Sequence, residues 1–210
     1  MKNKTFRDPQ HIENTVKLLK IILKTLDKHK IKYYLDFGTL IGAMRENALI
    51  PWDDDIDISL INEDEYSKMP LVLKEIKKQY GYRIYLHTFE SAFKKHKKKH
   101  PEAVTPQIDF TTKDNYQIAK VRDNKFLIFG RGAVCIDIFF KYNRDNELYW
   151  FAFGETNKIS NQPIKEGFTQ IDFYGISCTI PIAYDAYLTS IYGAWKTPNE
   201  SWVEADQISK

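Results

Sequence analysis

The chain has 210 residues, enough for one domain, and 43% of them are hydrophobic, which is ample for a buried core. A formal net charge of only +3 argues against a protein that binds polyanions over its whole surface. The two cysteines supply neither a disulfide framework nor zinc-ligand spacing, so a reduced setting is expected. The first residues lead to no apolar signal core, and no run approaches membrane-spanning length. The sequence therefore predicts a cytoplasmic protein that at most contacts a membrane surface.

The N-terminal part is predicted to alternate helix and strand. Asp8-Pro9 is typical of a helix start, because aspartate caps free backbone N–H groups and proline fits the first turn. Apolar residues then recur at helical spacing, so one amphipathic helix is expected within residues 1–32. The next predicted elements are a strand at 31–37, a short helix at 39–45 and a strand at 55–61.

A basic segment interrupts the middle of the chain. Before it, a helix is predicted at 63–80, capped by Asn62 and ended by Gly81, and a strand at 82–88. Lys94 to His100 then contains only lysine and histidine, and prolines follow at 101 and 106. We expect an irregular basic loop over 94–107, the best candidate for an insertion.

The remaining chain is predicted to be mainly strand until a last helix. Short strands are expected at 108–111, 116–122, 125–129, 134–140 and 148–153, whereas the pattern is weak between 157 and 179. A C-terminal helix at 181–192 ends at Gly193, within a Tyr-Gly-x-Trp motif that belongs to the terminal unit 181–198. No second domain boundary is visible, so residues 1–210 are predicted to form a single domain.

Four aspartates within residues 53–57 form the most informative cluster. Side chains at i and i+2 share a face of a strand, so Asp55 and Asp57 project together while the intervening isoleucine points to a core. Paired carboxylates suit Mg²⁺ or Mn²⁺; the competing interpretation is a solvated acidic loop. A third carboxylate is expected from another strand, and Asp109 and Asp137 both have apolar neighbours. Either could instead be a buried acid paired with lysine or arginine.

A Gly-Thr turn precedes the acidic strand. Gly38 allows the backbone to approach a ligand closely, and a helix beginning at Thr39 would direct free N–H groups at an anion. Alone, this pattern indicates only a strand-to-helix turn; joined to the aspartates, it predicts phosphoryl or nucleotidyl transfer. Arg45 would reach a phosphate or be an exposed cation. Trp52 would stack on a base or sugar, or anchor its loop in the core.

Together these residues resemble the signature of a known family. The motif residues are Asp36 to Ala43 with Arg45, Ile50 to Asp57, Lys120-Val121-Arg122, Ile136 to Phe139, Tyr187-Leu188, and Tyr192 to Trp195 with Pro198. In this order they are similar to the LicD family, which includes bacterial phosphocholine transferases and the eukaryotic fukutin and fukutin-related proteins. The resemblance covers about residues 33–198.

The resemblance implies an α+β fold similar to the DNA polymerase β nucleotidyltransferases, a mixed sheet flanked by helices. It implies phosphate binding at Gly38-Thr39, and Mg²⁺ or Mn²⁺ on catalytic Asp55 and Asp57. It favours Asp137 over Asp109 as the third catalytic and metal-binding acid. The other implied residues are Arg45, Lys120 and Arg122 at the donor phosphates, and Asp36, Trp52 and Asp53 in supporting or substrate contacts.

The resemblance also implies a reaction. The family moves a phospho-substituent, such as phosphocholine or an alditol phosphate, from a CDP-linked donor to a hydroxyl of a glycan or glycolipid, and CMP leaves. The acceptor hydroxyl must lose a proton as it attacks, and Asp137 is the residue expected to accept it.

Competing interpretations concern the basic segment and the catalytic competence of the chain. A nucleic-acid enzyme of the same superfamily would place Lys94 to His100 on a phosphate backbone, but the small net charge argues against a nucleic-acid partner. A non-catalytic relative is the second rival, and the intact Gly-Thr and Asp-x-Asp motifs argue against it. For the segment itself, a solvated loop, contact with an anionic membrane surface and contact with an anionic glycan all stay open.

Overall fold

A five-stranded mixed sheet carries the polar face on which the predicted site residues meet. The computed structural model describes residues 5–102, 115–123, 134–152 and 155–200. Its helices are α1 (Pro9–Lys28), α2 (Phe37–Arg45), α3 (Met69–Tyr80), α4 (Phe89–Lys99), α5 (Gln162–Lys165) and α6 (Tyr184–Tyr192), with a 3₁₀ helix (Glu63–Lys68) before α3. Its strands are β1 (Tyr33–Leu35), β2 (Ile56–Leu60), β3 (Arg83–Thr88), β4 (Tyr116–Arg122), β5 (Cys135–Phe139), β6 (Tyr142–Arg144), β7 (Glu147–Ala152), β8 (Glu155–Ser160), β9 (Phe168–Phe173) and β10 (Ile176–Pro181).

The large sheet has the strand order β1-β2-β5-β4-β3. Strands β2 and β5 are parallel, and every other neighbouring pair in this sheet is antiparallel. Strands β6, β7 and β8 form a separate antiparallel sheet, and β9 and β10 form a hairpin. The predicted class, mixed α+β with a mixed sheet and flanking helices, is confirmed.

The two faces of the large sheet differ because successive side chains of a strand alternate between them. On one face, Ile56, Ile58, Ile136 and Ile138 are fully buried in one apolar cluster with the inner sides of α1 and α3. Burying an aliphatic side chain of this size contributes about 1.5–3 kcal/mol, so this face anchors the sheet. The opposite face carries the polar side chains of Asp57, Asp137 and Lys120, beside the apolar Phe139 and Ile118.

Helix α1 forms where the sequence predicts it. The Asp8 carboxylate accepts the N–H of Gln10 at 3.0 Å, and Pro9 occupies the first turn. A stripe of aliphatic residues then turns inward at helical spacing; its buried members include Leu18, Leu19, Ile22, Leu23 and Leu26. Helix α1 contacts both α3 and β5, so it covers the centre of the sheet.

Helix α2 begins two residues before the predicted start, because Asp36 caps it by accepting the N–H of Phe37 at 2.8 Å. Gly38-Thr39 therefore lies within the first turn. Phe37 has φ of +44°, a left-handed conformation that costs a non-glycine residue about 1–3 kcal/mol. Its ring packs against Phe139 and Trp150, with centroid distances of 4.8 and 5.8 Å, and these contacts offset the strain.

The prediction of an irregular basic loop over 94–107 is wrong at its start, because residues 94–99 belong to α4. Thr88 and Ser91 cap this helix reciprocally: each backbone N–H reaches the other's hydroxyl, at 3.0 and 3.3 Å. Phe89 is buried and anchors the first turn. The lysines and histidines then fall in the last turns, where cations favour the negative end of the helix dipole.

Other boundaries differ from the predicted ones for local reasons. The helix expected at 63–80 is divided into the 3₁₀ helix and α3, with Pro70 in the first turn of α3 and Gly81 ending it at φ of +74°. The weak pattern at 157–179 contains most of β8, all of α5 and β9, and most of β10. The last helix begins at Tyr184 because Pro181 still belongs to β10.

Two predicted strands, at 108–111 and 125–129, lie outside the described residues, as does Asp109. Within the described ranges, no helix is both long enough and apolar enough to span a bilayer.

Candidate active site

Asp57, Asp137 and Lys120 lie side by side on three adjacent strands. The parallel register of β2 and β5 places Asp57 opposite Asp137, and the antiparallel register of β5 and β4 places Asp137 opposite Lys120. Directly opposite residues have Cβ atoms about 5 Å apart. The Lys120 ammonium forms an ion pair with the Asp137 carboxylate. The sheet thus brings together residues that the sequence separates by about eighty positions.

Oxygen donors converge beside this row. Ligand atoms of Asp55, Asp137 and Cys135 all lie within 4.8 Å of one another, and those of Asp53, Asp54 and Asp55 form a second such group. The Cys135 thiol donates to Asp137 at 3.1 Å, and burial and the Asp137 charge raise its pKa, so it stays protonated. Carboxylate oxygens therefore remain as the metal donors, and this set fits Mg²⁺ or Mn²⁺.

The electrostatics of the cluster also favour a cation. Burial raises the pKa of Asp55 well above its usual range, and repulsion from Asp137 and Asp53 raises it further. Burial likewise raises the pKa of Asp53 to about 6. Burial acts to lower the pKa of Lys120, but its ion pair with Asp137 outweighs this effect and the pKa is raised. One ammonium group faces several carboxylates, and a divalent cation would relieve the remaining repulsion.

The Gly38-Thr39 turn contacts the acidic strand directly. The buried Thr39 hydroxyl accepts the backbone N–H of Asp57 at 2.8 Å, which ties α2 to β2. Beside Gly38, an added Cβ would lie only 2.6 Å from Oδ2 of Asp53. The absence of a side chain at Gly38 thus leaves room for the Asp53 carboxylate, which also accepts the N–H of Asp54 at 2.9 Å.

The glycines of α2 allow a test of this packing. We expect Gly42→Ala to lower the free energy of unfolding by about 1–3 kcal/mol, because the added methyl would overlap the backbone carbonyl of Ala48. Gly38→Ala should cost less, since the atom displaced is a side-chain oxygen of Asp53. Both variants gain the same helix propensity, so urea unfolding compares the two clashes. Equal losses would contradict this account.

The other predicted phosphate and substrate residues are distributed around the site. Arg45 donates to the carbonyl oxygen of Trp195 at 2.9 Å and pairs with Glu46 at 2.8 Å, so it joins α2 to the C-terminal segment. Trp52 is half-buried against the core, and both it and Arg45 line the cavity described below. Arg122 lies opposite Cys135, two positions from Lys120; among the described residues, the cavity lining does not include it.

Asp36 belongs to a separate, fully buried ion pair. Its carboxylate is 0% exposed and lies 2.6 Å from the Lys141 ammonium, which is 1% exposed. Tyr187 donates its hydroxyl to Asp36 at 2.7 Å, and Ser59 donates as well. Lys141 was not among the residues predicted from the sequence, although a lysine two residues after the apolar strand β5 was a usable signal.

Aromatic rings surround the Lys141 ammonium. The Nζ atom lies 4.1 Å from the ring centroid of Phe37 and 4.7 Å from that of Trp150. The rings of Tyr187 and Tyr34 lie at 5.2 and 5.8 Å. A buried cation is stabilised by such faces, so this aromatic cage is filled by the protein's own lysine.

A cavity of about 1440 Å³ opens over the polar face. Single-ligand sites commonly measure about 300–1,000 Å³, so the space suits two substrates. One wall holds the aspartates and Trp52, a second is formed by residues 192–195 and 197–200, and a third by α4 with His87 of β3. The basic residues of the third wall are Lys95, His96, Lys99 and His100. The sequence did not assign these residues to the site, because a run of only lysine and histidine does not indicate which side chains face the cavity.

Comparison with known proteins gives a family match over most of the chain. The family described as "LicD/FKTN/FKRP, nucleotidyltransferase domain" matches residues 30–182. The match includes the acidic strand β2, the strand β5 and the turn at Gly38-Thr39.

Individual relatives match smaller shares. "Lipopolysaccharide cholinephosphotransferase LicD" of Haemophilus influenzae is 41% identical over 68 residues, 32% of this chain and 24% of that protein. "Ribitol-5-phosphate transferase FKTN" of Homo sapiens is 24% identical over 192 residues, 88% of this chain and 34% of that protein. An uncharacterized protein of Rickettsia typhi is 45% identical over 67 residues, 32% of this chain and 21% of that protein. The matches thus span about a third or less of each relative.

A solved structure, the lincosamide antibiotic adenylyltransferase LnuA with bound lincomycin, aligns at a TM-score of 0.46 with 14% identity. The alignment covers 91% of this chain and 94% of that one. A TM-score this low does not establish a shared fold.

Proposed function

Because the chain belongs to the LicD/FKTN/FKRP nucleotidyltransferase-domain family, we propose that it is a metal-dependent phosphotransferase. It would move a phospho-substituent, such as phosphocholine or an alditol phosphate, from a CDP-linked donor to a hydroxyl of a glycan or glycolipid. We also assign the chain to the DNA polymerase β-like nucleotidyltransferases, in keeping with the mixed sheet and the family description.

The main support for the proposal is the arrangement of three aspartates at the cavity. Asp57 and Asp137 lie in register on neighbouring parallel strands, a carboxylate oxygen of Asp55 lies within 4.8 Å of one of Asp137, and all three residues line one large cavity. One buried and two partly buried carboxylates at this density are costly unless a cation joins them. Their position on the floor of a cavity gives that cation access to a substrate.

We assign each residue of the site a separate role in binding the donor. Mg²⁺ or Mn²⁺, held by Asp55, Asp57 and Asp137, would neutralise charge on the donor phosphates as CMP leaves. Lys120 supplies a fixed positive charge beside Asp137, and Arg45 supplies another on the α2 side of the cavity. Trp52 offers an aromatic face for the nucleoside. We assign Gly38-Thr39 and Arg122 to the same donor region, and Asp36 and Asp53 to holding the first turn of α2 and its surroundings.

The acceptor approaches from the Asp137 side. Its hydroxyl oxygen forms a bond to the phosphorus that bears the headgroup, and the bond from that phosphorus to the CMP oxygen breaks. CMP leaves with the electron pair, and the hydroxyl proton passes to a base. We assign the proton to Asp137, since it is the acid on the strand farther from the Gly38-Thr39 turn.

Removal of divalent cations should stop the reaction. We expect EDTA to abolish CMP release and added Mg²⁺ or Mn²⁺ to restore it, because the carboxylate cluster then carries unscreened charge where the donor phosphates bind. The assay measures CMP release from CDP-choline, CDP-glycerol and CDP-ribitol, with and without candidate glycans. Turnover that persists in chelator would contradict metal dependence, and no CMP from any of these donors would contradict the donor class.

A further inference from the structure

Helix α4 presents one basic stripe to the cavity. Lys95, His96, Lys99 and His100 all line it, and they recur at the three- and four-residue spacing of one helix face. The lysines at 95, 97, 98 and 99 are all exposed, but Lys97 and Lys98 do not line the cavity. The segment whose role the sequence left open therefore has an inner and an outer side.

The inner stripe has unused charge. Lys94, on the outer side, pairs with Glu90 at 2.6 Å. Among the residues that the structure describes, Lys95 and Lys99 have no ion pair. The His96 and His100 rings stack with centroids 4.6 Å apart. Two unpaired ammonium groups at a cavity wall are expected to attract an anion there.

The position of α4 indicates which substrate it meets. Across the sheet, the order runs from β1 and β2 through Asp137 on β5 and Lys120 on β4 to His87 on β3, which leads into α4. The Gly38-Thr39 turn lies at the β1–β2 side, tied to Asp57 by a hydrogen bond. Helix α4 is thus at the opposite end of the site from the donor-phosphate turn, beyond both Asp137 and the donor-assigned Lys120.

We propose that Lys95 and Lys99, supported by His96 and His100, bind an anionic group of the acceptor, a phosphate or a carboxylate carried on its sugar. The inference rests on the proposed function, because it assigns the second substrate of the same cavity. It makes α4 a specificity element for a charged glycan, and it distinguishes the inner lysines from those on the outer side.

The test compares two variants of equal charge. ¹⁵N-labelled protein is titrated with glucose 6-phosphate, with glucuronate and with glucose, without donor or metal. We expect at least one anionic sugar to bind markedly more tightly than glucose and to shift the amide signals of α4. Lys95→Ala/Lys99→Ala should weaken that binding about tenfold or more, the order expected when charge-assisted contacts to an anion are lost. Lys97→Ala/Lys98→Ala should change it less than about twofold, because these two lysines do not line the cavity and solvent screens their charges from a ligand bound there.

Several outcomes would overturn the proposal. The first is equal binding of charged and neutral sugars, and the second is an equal loss of anionic-sugar binding in the two double variants. The third is a loss of CDP binding with Mg²⁺ in Lys95→Ala/Lys99→Ala, which would place α4 at the donor. The two double variants could also lose salt-sensitive binding to phosphatidylserine vesicles or labelled RNA equally, while neither changes sugar binding. That result would assign the helix to a surface partner. If CDP binds with Mg²⁺ and no anionic sugar does, the proposed reaction stands and the acceptor assignment fails.

Discussion

Asp57→Asn is expected to lower turnover by at least about a thousandfold, or about 4 kcal/mol of transition-state stabilisation, while the protein stays folded. The substitution is nearly isosteric, and it leaves the backbone N–H of residue 57 bonded to Thr39. It removes one carboxylate from the pair that faces the cavity in register. The measurement is CMP release under donor saturation, with circular dichroism to verify the fold.

A control variant and a second measurement make this result specific. Asp64→Asn, at an exposed acid of the 3₁₀ helix, has the same chemical change and should keep normal turnover. Mg²⁺ should raise the melting temperature of the wild-type protein and of Asp64→Asn, because an ion that binds the folded state stabilises that state. The increase should be much smaller for Asp57→Asn, which has lost one of the carboxylates proposed to hold the ion. An Asp57→Asn variant with near-normal turnover would contradict the proposal that Asp57 helps to hold a catalytic metal ion.

Lys141→Met is expected to lower the free energy of unfolding by about 3–5 kcal/mol, the range for removing one partner of a buried ion pair. The Asp36 carboxylate would lose the ammonium 2.6 Å away and remain fully buried. The Tyr187 hydroxyl, which accepts a bond from Lys141 at 2.5 Å, would lose it too. Urea unfolding followed by tryptophan fluorescence provides the measurement.

A second substitution separates charge from packing. Asp36→Asn in the Lys141→Met background removes the stranded charge but keeps an oxygen for the N–H of Phe37. The double variant should therefore recover much of the lost stability, because replacing both partners of a pair costs far less than removing one. If Lys141→Met alone stays within about 1 kcal/mol of the wild type, the pair is not a stability determinant.

Local signals predicted several of the elements and some of the side chains that project from them. Asp8-Pro9 caps α1, and apolar periodicity determines the inner stripe that follows. Alternation in β2 and the apolar flanks of Asp137 correctly indicated carboxylates that project from buried strands, and the structure places them opposite each other. These features depend on residues near in sequence or on burial, which the local pattern of apolar and polar residues indicates.

Long-range partners could not be predicted in the same way. Lys120 pairs with Asp137 through the register of β4 and β5, and Lys141 pairs with Asp36 just beyond the ends of β5 and β1. No local pattern specifies either contact. Helix α4 was missed for a different reason: its lysines offered no apolar stripe. The available signals were the reciprocal cap of Thr88 and Ser91 and the helical spacing of Phe89, Ala92 and Phe93, which pack against the core.

The in-register pairing of β2 with β5 has a consequence for the order of folding. Asp57 and Asp137 meet only after a loop of about eighty residues has closed, and contacts that join such distant residues are slow to form. The apolar faces of the same two strands must provide the driving force, because the carboxylates repel as they approach. We therefore expect the apolar core to form first and the acidic site last, so that a metal ion acts on the folding equilibrium after the rate-limiting step and slows unfolding more than it speeds folding.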